Sequence, residues 1–113
     1  MLPKKYKVLI ADSAKKDIKD KKKYILDNFK YRAYAENFSN KIKQAIIQLD
    51  IFPVAYDTTG FSYNGYDIYL KPCQSYLILY TVDEVNQVVT VLRVLQDRED
   101  WQYIINEWIF INR

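Results

Sequence analysis

The spacing of the apolar residues changes in the middle of this chain, and that change limits the folds that it can adopt. Between about residues 14 and 51, apolar residues recur at steps of three and four, as on one face of a helix. Between Tyr66 and Leu95 they alternate with a period of two, as in strands with one buried face. Helices followed by a run of strands predict an α+β fold.

A short strand and a first helix are predicted at the start of the chain. Residues 6–11 form the strand, and residues 14–29 form the helix. Asp12 or Ser13 supplies the N-cap, and Asp17 places negative charge in the first turn, where the helix dipole favours it. The predicted buried stripe of this helix consists of Ala14, Ile18, Ile25, Leu26 and Phe29.

A second helix is predicted over residues 33–51. Pro53 follows closely and ends it, because proline cannot continue a helix. The link between the two helices is only a few residues long, so we expect them to form an antiparallel hairpin. The predicted buried face of the second helix consists of Tyr34, Phe38, Ile42, Ala45, Ile46 and Leu49.

Three strands and a final helix are predicted in the second half. Residues 53–65 carry proline, glycine, asparagine and threonine, which is typical of a loop. Short links between the strands predict an antiparallel meander, and a helix follows from Trp101. The predicted strands cover residues 66–71, 75–82 and 87–95. The order is therefore βααβββα in a single domain over residues 1–113, with residues 101–113 as a C-terminal helical tail.

Missing residue types exclude several kinds of site. Without histidine the chain has no His-based zinc site, no His-dependent triad and no histidine general base. Two glycines are too few for a phosphate-binding Gly-rich loop. Cys73 is the single cysteine, which excludes an intrachain disulfide and fits a reducing cytoplasm. We expect no metal, no cofactor, no secretory signal and no membrane span, since a span needs roughly twenty apolar residues.

Charge is distributed unevenly between the two halves of the chain. Residues 1–50 carry thirteen basic and six acidic residues, whereas residues 51–113 carry four and eight. The basic half indicates either a face that attracts an acidic or nucleic-acid partner or an ordinary solvated helix face. Either Lys21 or Lys22 must lie beside the apolar stripe, with its stem on the core. The candidate contact lysines of the first helix are Lys15, Lys16, Lys19, Lys22 and Lys23.

Taken together, the order of elements and the residues within them resemble the RelE/ParE toxin family of bacterial type II toxin–antitoxin systems. The resemblance spans roughly residues 6–101. It is carried by Tyr6-Lys7-Val8-Leu9-Ile10 with Ala14 and Asp17-Ile18, by Phe38 to Leu49 with Phe52-Pro53, by Tyr76 to Val82, and by Val91 to Leu95 with Asp97-Arg98-Glu99-Asp100.

The resemblance implies a small growth-arresting toxin that a cognate antitoxin neutralises, with operator DNA reached through the antitoxin. RelE-like members act as mRNA interferases in the ribosome, whereas ParE-like members inhibit DNA gyrase. For a RelE-like enzyme, the resemblance implies Lys71, Arg93 and Arg98 as catalytic residues. Leu77 replaces the arginine of the central strand, and Asp67 stands where basic residues are common. Both departures favour a ParE-like toxin, because a phosphate backbone needs positive charge.

Alternative interpretations remain open for the singled-out residues. Arg93 either contacts an anion or pairs with an acid such as Glu84 or Asp67. Arg98 is either functional or simply paired with the acids beside it in the sequence. Lys71 is catalytic or simply solvated. A free-standing nucleic-acid-binding module is a third reading of the basic helices and the tyrosines. The C-terminal stripe packs on the chain's own core or contributes to an apolar antitoxin-binding groove; it consists of Trp101, Ile104, Ile105 and Trp108.

Overall fold

The computed structural model describes residues 5–113 and has the predicted α+β architecture: a helical hairpin, a mostly antiparallel sheet and a C-terminal helix. Two short 3₁₀ turns, Gln48–Asp50 and Pro53–Ala55, follow the hairpin. The helices and strands in chain order are β1 (Lys7–Ile10), α1 (Asp12–Phe29), α2 (Arg32–Ile47), β2 (Asp57–Tyr63), β3 (Tyr66–Cys73), β4 (Tyr76–Asp83), β5 (Val88–Gln96) and α3 (Trp101–Asn112). No helix in this described range is long and apolar enough to cross a membrane.

Strand β2 corrects the prediction of a loop over residues 53–65. Its threonines and aromatic residues are good strand formers, and the register shifts between Thr58 and Ser62 around Gly60, which has a φ of 86°. Asn64 and Gly65, with φ of 53° and 83°, form the tight turn into β3. An Asn-Gly pair is a strong hairpin signal, and the glycines therefore mark a bulge and a turn within a hairpin.

The sheet has the strand order β1-β5-β4-β3-β2. β2 to β5 pair antiparallel, which confirms the predicted meander. β1 instead pairs in parallel with β5, with Ile10 opposite Val91. The first strand of the chain thus lies at one edge of the sheet, beside the last strand.

The helical hairpin covers one face of the sheet. Phe38, Ile42, Ala45, Ile46 and Leu49 are buried there, as predicted. α2 ends at Ile47, where a 3₁₀ turn takes over, and α1 begins at Asp12 with Ala11 as an N-cap that makes no side-chain hydrogen bond. The predicted N-cap at Asp12 or Ser13 was therefore wrong.

The far end of the hairpin does not reach the core. The predictions of buried Leu26, Phe29 and Tyr34 were wrong, because these side chains are 42%, 55% and 55% exposed. All buried residues of α1 lie in its first two turns, at Ala14, Asp17 and Ile18. Beyond them the hairpin has little of the sheet beneath it.

Helix α3 covers the opposite face of the sheet. Ile105 is fully buried there, and Trp101, Ile104 and Trp108 pack around it. The sheet contributes mainly leucines to this second core, among them Leu77 and Leu79. The Tyr63 hydroxyl also donates a hydrogen bond of 2.9 Å to the Asn112 carbonyl. The apolar stripe of α3 therefore packs on the chain's own sheet, with Ile105 buried and the other three residues partly buried.

Candidate functional site

Arg93 is held by Asp17 of α1. The Asp17 carboxylate accepts hydrogen bonds from Arg93 Nε at 2.7 Å and Arg93 Nη2 at 2.9 Å, and from the Val94 amide at 2.9 Å. Both side chains are mostly buried. The predicted partners Glu84 and Asp67 were wrong, and so was the placement of Asp17 in the first turn, because α1 begins at Asp12.

This ion pair arises because β1 is short. β1 ends at Ile10, so the edge of β5 beyond Val91 has no strand beside it. Side chains of α1 take over there: the Ser13 hydroxyl donates to the Leu92 carbonyl at 2.6 Å, and Asp17 accepts from the Val94 amide. Because buried backbone groups need hydrogen-bond partners, Ser13 and Asp17 complete the edge of the sheet.

Lys71 lies in the core rather than in solvent. Its side chain is buried on β3, and its ammonium donates to the Ala45 carbonyl at 2.8 Å and to Gln48 Oε1 at 3.3 Å. The ammonium also lies 5.4 Å from the centre of the Tyr56 ring. A cation at the end of α2 complements the negative end of the helix dipole. The alternative of a solvated lysine was therefore wrong.

Arg98 is exposed and lines a polar cleft. The cleft encloses about 520 Å³ between the middle of α1, the start of β4 and the end of β5. Three acidic and two basic residues line it. Among them, Lys21 Nζ lies 3.8 Å from Glu99 Oε1. The full lining consists of Asp20, Lys21, Tyr24, Ser75, Tyr76, Gln96, Asp97, Arg98 and Glu99.

The structure does not bring the three predicted catalytic residues into one site. Lys71 is on β3, and Arg93 is on β5 with β4 between them. Because neighbouring strands lie about 4.8 Å apart, their backbones are about 10 Å apart. Lys71 is bound to the end of α2 and lines a separate hollow there, Arg93 is bound to α1, and Arg98 lines the cleft beside α1.

Sequence reasoning missed most of the cleft. Tyr24, Ser75, Tyr76 and Gln96 come from three separate segments that meet only in the fold. The Asp97 amide donates to the Ser75 carbonyl at 2.9 Å, which fixes the end of β5 against the turn before β4. No spacing within the sequence marks these residues, because each contact joins positions far apart.

Leu77 lies beneath α3. It is 8% exposed and packs with Leu79, Leu95 and Ile105 in the second core. The position where the resemblance to RelE-like toxins implied an arginine is therefore buried and apolar. Asp67, the other departure, is exposed on β3 beside Ser62.

The lysines of α1 divide into paired and unpaired groups. Three of them pair with acids. The distances from lysine Nζ to the nearest carboxylate oxygen are 2.8 Å for Lys16 and Asp20, 3.5 Å for Lys22 and Glu36, and 3.0 Å for Lys23 and Asp27. The hydrogen bond to Asp20 raises the pKa of Lys16. Lys21 is the lysine that lies beside the stripe, with 16% of its side chain exposed. Within residues 5–113, no carboxylate oxygen lies within 4.0 Å of the ammonium of Lys15 or Lys19.

Comparisons with known proteins agree with the fold. The sequence model described as "ParE toxin of type II toxin-antitoxin system, parDE" matches residues 8–101. The toxin–antitoxin structure "Chromosomal ParDE TA system from P. aeruginosa" contains a chain that is similar at a TM-score of 0.66 and 10% identity; the match covers 80% of this chain and 95% of that one. No curated protein sequence gave a match.

Two RelE–RelB complexes are also similar. The archaeal complex from Pyrococcus horikoshii gives a TM-score of 0.58 at 17% identity, covering 84% of this chain and 98% of that one. The RelBE2 complex from Mycobacterium tuberculosis gives 0.54 at 17% identity, covering 82% and 92%. At such identities the likeness shows a shared fold.

Proposed function

We propose a function from the premise that this chain belongs to the ParE toxin family of type II toxin–antitoxin systems, whose sequence model covers residues 8–101. The chain is the toxin of such a system, and its partner is a cognate antitoxin. As its mode of action we propose growth arrest by binding and inhibiting DNA gyrase, without RNA cleavage.

The burial of Leu77 is the observation that carries this proposal. RNA cleavage without a metal requires a proton acceptor, a proton donor and positive charge around the phosphorane. On the central strand, Leu77 offers neither charge nor a hydrogen bond, and α3 covers it. A phosphate could approach this face only if α3 left the sheet.

The charge of the cleft supports the same conclusion. Its lining carries Asp20, Asp97 and Glu99 against Lys21 and Arg98, so its formal charge is negative. Glu99 is also the acid nearest to Lys21. An acidic cleft repels the phosphates of an RNA strand, whereas a protein target can be bound by polar and apolar contacts of either sign.

Expression of the gene without its neighbouring genes tests the proposal. We expect filamentation and an SOS response with intact transcripts, and loss of supercoiling by purified gyrase when the purified protein is added. Rapid transcript cleavage without an SOS response would overturn the proposal in favour of an mRNA interferase. Normal growth, together with unchanged supercoiling by gyrase, would refute the proposed inhibition of gyrase.

The runner-up activity, mRNA cleavage in the ribosome, is favoured by one observation. Arg98 is exposed in a cleft that Tyr24 and Tyr76 also line. If this site cut RNA, Arg98→Ala would abolish transcript cleavage, and Arg98→Lys would restore part of it. Arg113→Ala, at the end of the chain, is the control. Arg93→Ala is unsuitable as a test, because it leaves Asp17 without its ion-pair partner and destabilises the fold.

A further inference from the structure

The helical hairpin ends in a cluster of aromatic side chains that lie in solvent. Phe29, Tyr31 and Tyr34 are 55%, 64% and 55% exposed, and we call residues 29–34 the hairpin tip. The last buried residue of α1 is Ile18. Since an α-helix rises about 1.5 Å per residue, the end of α1 projects roughly 16 Å beyond that residue. The aromatic cluster therefore stands at the end of a protrusion.

The hairpin tip is held in one shape. Lys30, with a φ of 57°, ends α1 in the left-handed conformation, and its amide donates to the Leu26 carbonyl at 3.0 Å. The Tyr34 amide donates to the Tyr31 carbonyl at 3.1 Å. The Tyr34 ring contacts the rings of Phe29 and Tyr31 edge to face, with centroids 6.4 and 5.4 Å apart. A preformed cluster of this kind loses little conformational entropy when a partner covers it.

Two cations of the hairpin tip have no acidic partner. Lys30 and Arg32 are exposed, and no carboxylate oxygen in the part of the chain that the structure describes lies within 4.0 Å of their side-chain nitrogens. The nearby acids Asp27 and Glu36 are already paired with lysines of α1. The hairpin tip thus presents positive charge directly beside its aromatic rings.

This combination of residues is typical of a protein-binding hot spot. Tyrosine and arginine are enriched among the few interface residues that carry most of the binding free energy. A cluster of exposed apolar side chains marks an interaction site more often than scattered ones do. The fold does not require these rings, because the buried residues of the two helices lie closer to the base of the hairpin.

We propose that the hairpin tip is the surface with which the toxin binds its target protein, and that it enters an apolar pocket rimmed by carboxylates. The rings would fill the pocket, and Lys30 and Arg32 would pair with the acids around it. The inference rests on the proposed function insofar as the target is a protein, and it deepens that function by placing the contact with gyrase on the hairpin tip.

A protein pocket suits the hairpin tip better than a nucleic acid or a second copy of the chain. Single strands are held in positively charged grooves that follow many phosphates, whereas the tip is convex and offers two unpaired cations. Two copies joined tip to tip would bring Lys30 and Arg32 of each copy together, and like charges repel. A pocket with acids at its rim accommodates both the shape and the charge.

Truncation of the rings tests the proposal with a matched control. The tip variant combines Phe29→Ala, Tyr31→Ala and Tyr34→Ala. The control variant combines Ile47→Ala, Phe52→Ala and Tyr103→Ala, whose side chains are similarly exposed elsewhere on the protein. The dissociation constant for purified gyrase is measured by calorimetry, and thermal denaturation verifies that both variants are folded. We expect the tip variant to bind at least about tenfold more weakly and the control to stay within about twofold of the wild type.

Charge reversal tests the two cations separately. Lys30→Glu and Arg32→Glu are combined in one variant, and Lys41→Glu and Arg113→Glu, at exposed positions away from the tip, give a control with the same net charge. We expect the association rate with gyrase to fall at least about fivefold more in the tip variant than in the control, because charge near an interface mainly governs association. Equal rates for the two variants would contradict the acidic rim.

Growth arrest on expression separates this inference from the proposed function. A ring-truncated tip variant that arrests growth as fully as the wild type, at equal amounts of folded protein, would overturn the inference whatever the target. If the wild type arrests growth without binding gyrase, the proposed function fails, whereas loss of arrest in the tip variant alone still supports the tip as the target contact. A tip variant that binds gyrase normally but no longer binds a single-stranded oligonucleotide that the wild type binds would overturn the inference in favour of a nucleic acid.

Discussion

The two ends of the helical hairpin have similar compositions and different surroundings. At its base, Phe38 and Ile42 lie in the core against the sheet. At its tip, Phe29, Tyr31 and Tyr34 are each more than half exposed, and the Tyr34 ring contacts each of the other two edge to face. Both ends carry apolar residues at helical spacing. What differs is the sheet, which supports the base and does not reach the tip.

The means of attachment differ as well. The base is fixed to β5 by the buried carboxylate of Asp17, which makes three hydrogen bonds. The tip has the solvent-exposed pair of Lys23 and Asp27, and a sharp turn at Lys30 with a φ of 57°. Exposed pairs contribute little because water competes for both groups. We therefore expect the free energy of unfolding to depend on the base far more than on the tip.

Truncating one phenylalanine at each end should give the largest contrast. Phe38→Ala removes a ring that is 6% exposed and leaves a cavity, so we expect a loss of about 4 kcal/mol in the free energy of unfolding. Phe29→Ala should cost below about 1 kcal/mol, mostly its contact with Tyr34. Urea denaturation of both variants measures the difference. Similar losses would mean that the tip is packed as tightly as the base.

Removing one aspartate at each end should give the next largest contrast. Asp17→Ala leaves the Arg93 guanidinium and the Val94 amide without their acceptor, and we expect a loss of about 3 kcal/mol. Asp27→Ala removes an exposed pair and should cost about 0.5 kcal/mol or less. Thermal denaturation distinguishes the two. An Asp17→Ala variant as stable as Asp27→Ala would refute the role of the ion pair in fixing the base.

Removing one tyrosine hydroxyl from the sheet beneath the base and one from the tip should give the smallest contrast. The buried Tyr80 hydroxyl donates to the Pro53 carbonyl at 2.5 Å, so Tyr80→Phe leaves that carbonyl unsatisfied and should cost about 1–2 kcal/mol. Tyr34→Phe, at the exposed tip, should be nearly neutral. Chemical denaturation at neutral pH compares the two variants.

The same tyrosine predicts a pH dependence. Burial raises the pKa of Tyr80 above its usual value. The unfolded chain therefore loses this proton first, and the stability contributed by Tyr80 is complete below about pH 10 and declines above it. Denaturation between pH 9 and 11 should show a steeper decline for the wild type than for Tyr80→Phe. Parallel curves would contradict the assignment of this decline to Tyr80.

The sequence was sufficient to predict the order of the helices, the meander and the base of the hairpin. Each of these depends on the local period of apolar residues, which reports one face of one element. It was insufficient at Leu26, Phe29 and Tyr34, because the period does not reveal how far the neighbouring sheet extends. Strand β2 was missed because its glycine and asparagine resemble loop residues as much as a bulge and a hairpin turn.

The site was less predictable than the fold, because its contacts join residues that are far apart in the chain. Arg93 was singled out, but its partner Asp17 is 76 positions away in the chain. The cleft around Arg98 combines segments from α1, β4 and β5. Family resemblance indicated which residues to consider, whereas only the packing of distant segments decided which of them are free to contact a partner.

The parallel pairing of β1 with β5 has a consequence for how the protein is made. Each residue from Lys7 to Ile10 is synthesised 81 positions before its partner among Val88 to Val91. Such distant pairing makes folding slow, and chain growth at roughly 5–20 residues per second separates the two strands by several seconds. A ribosome that stops before Val91 therefore releases a hairpin that has no β5 on which to anchor Ser13 and Asp17. The toxin fold can therefore be completed only after β5 has been synthesised.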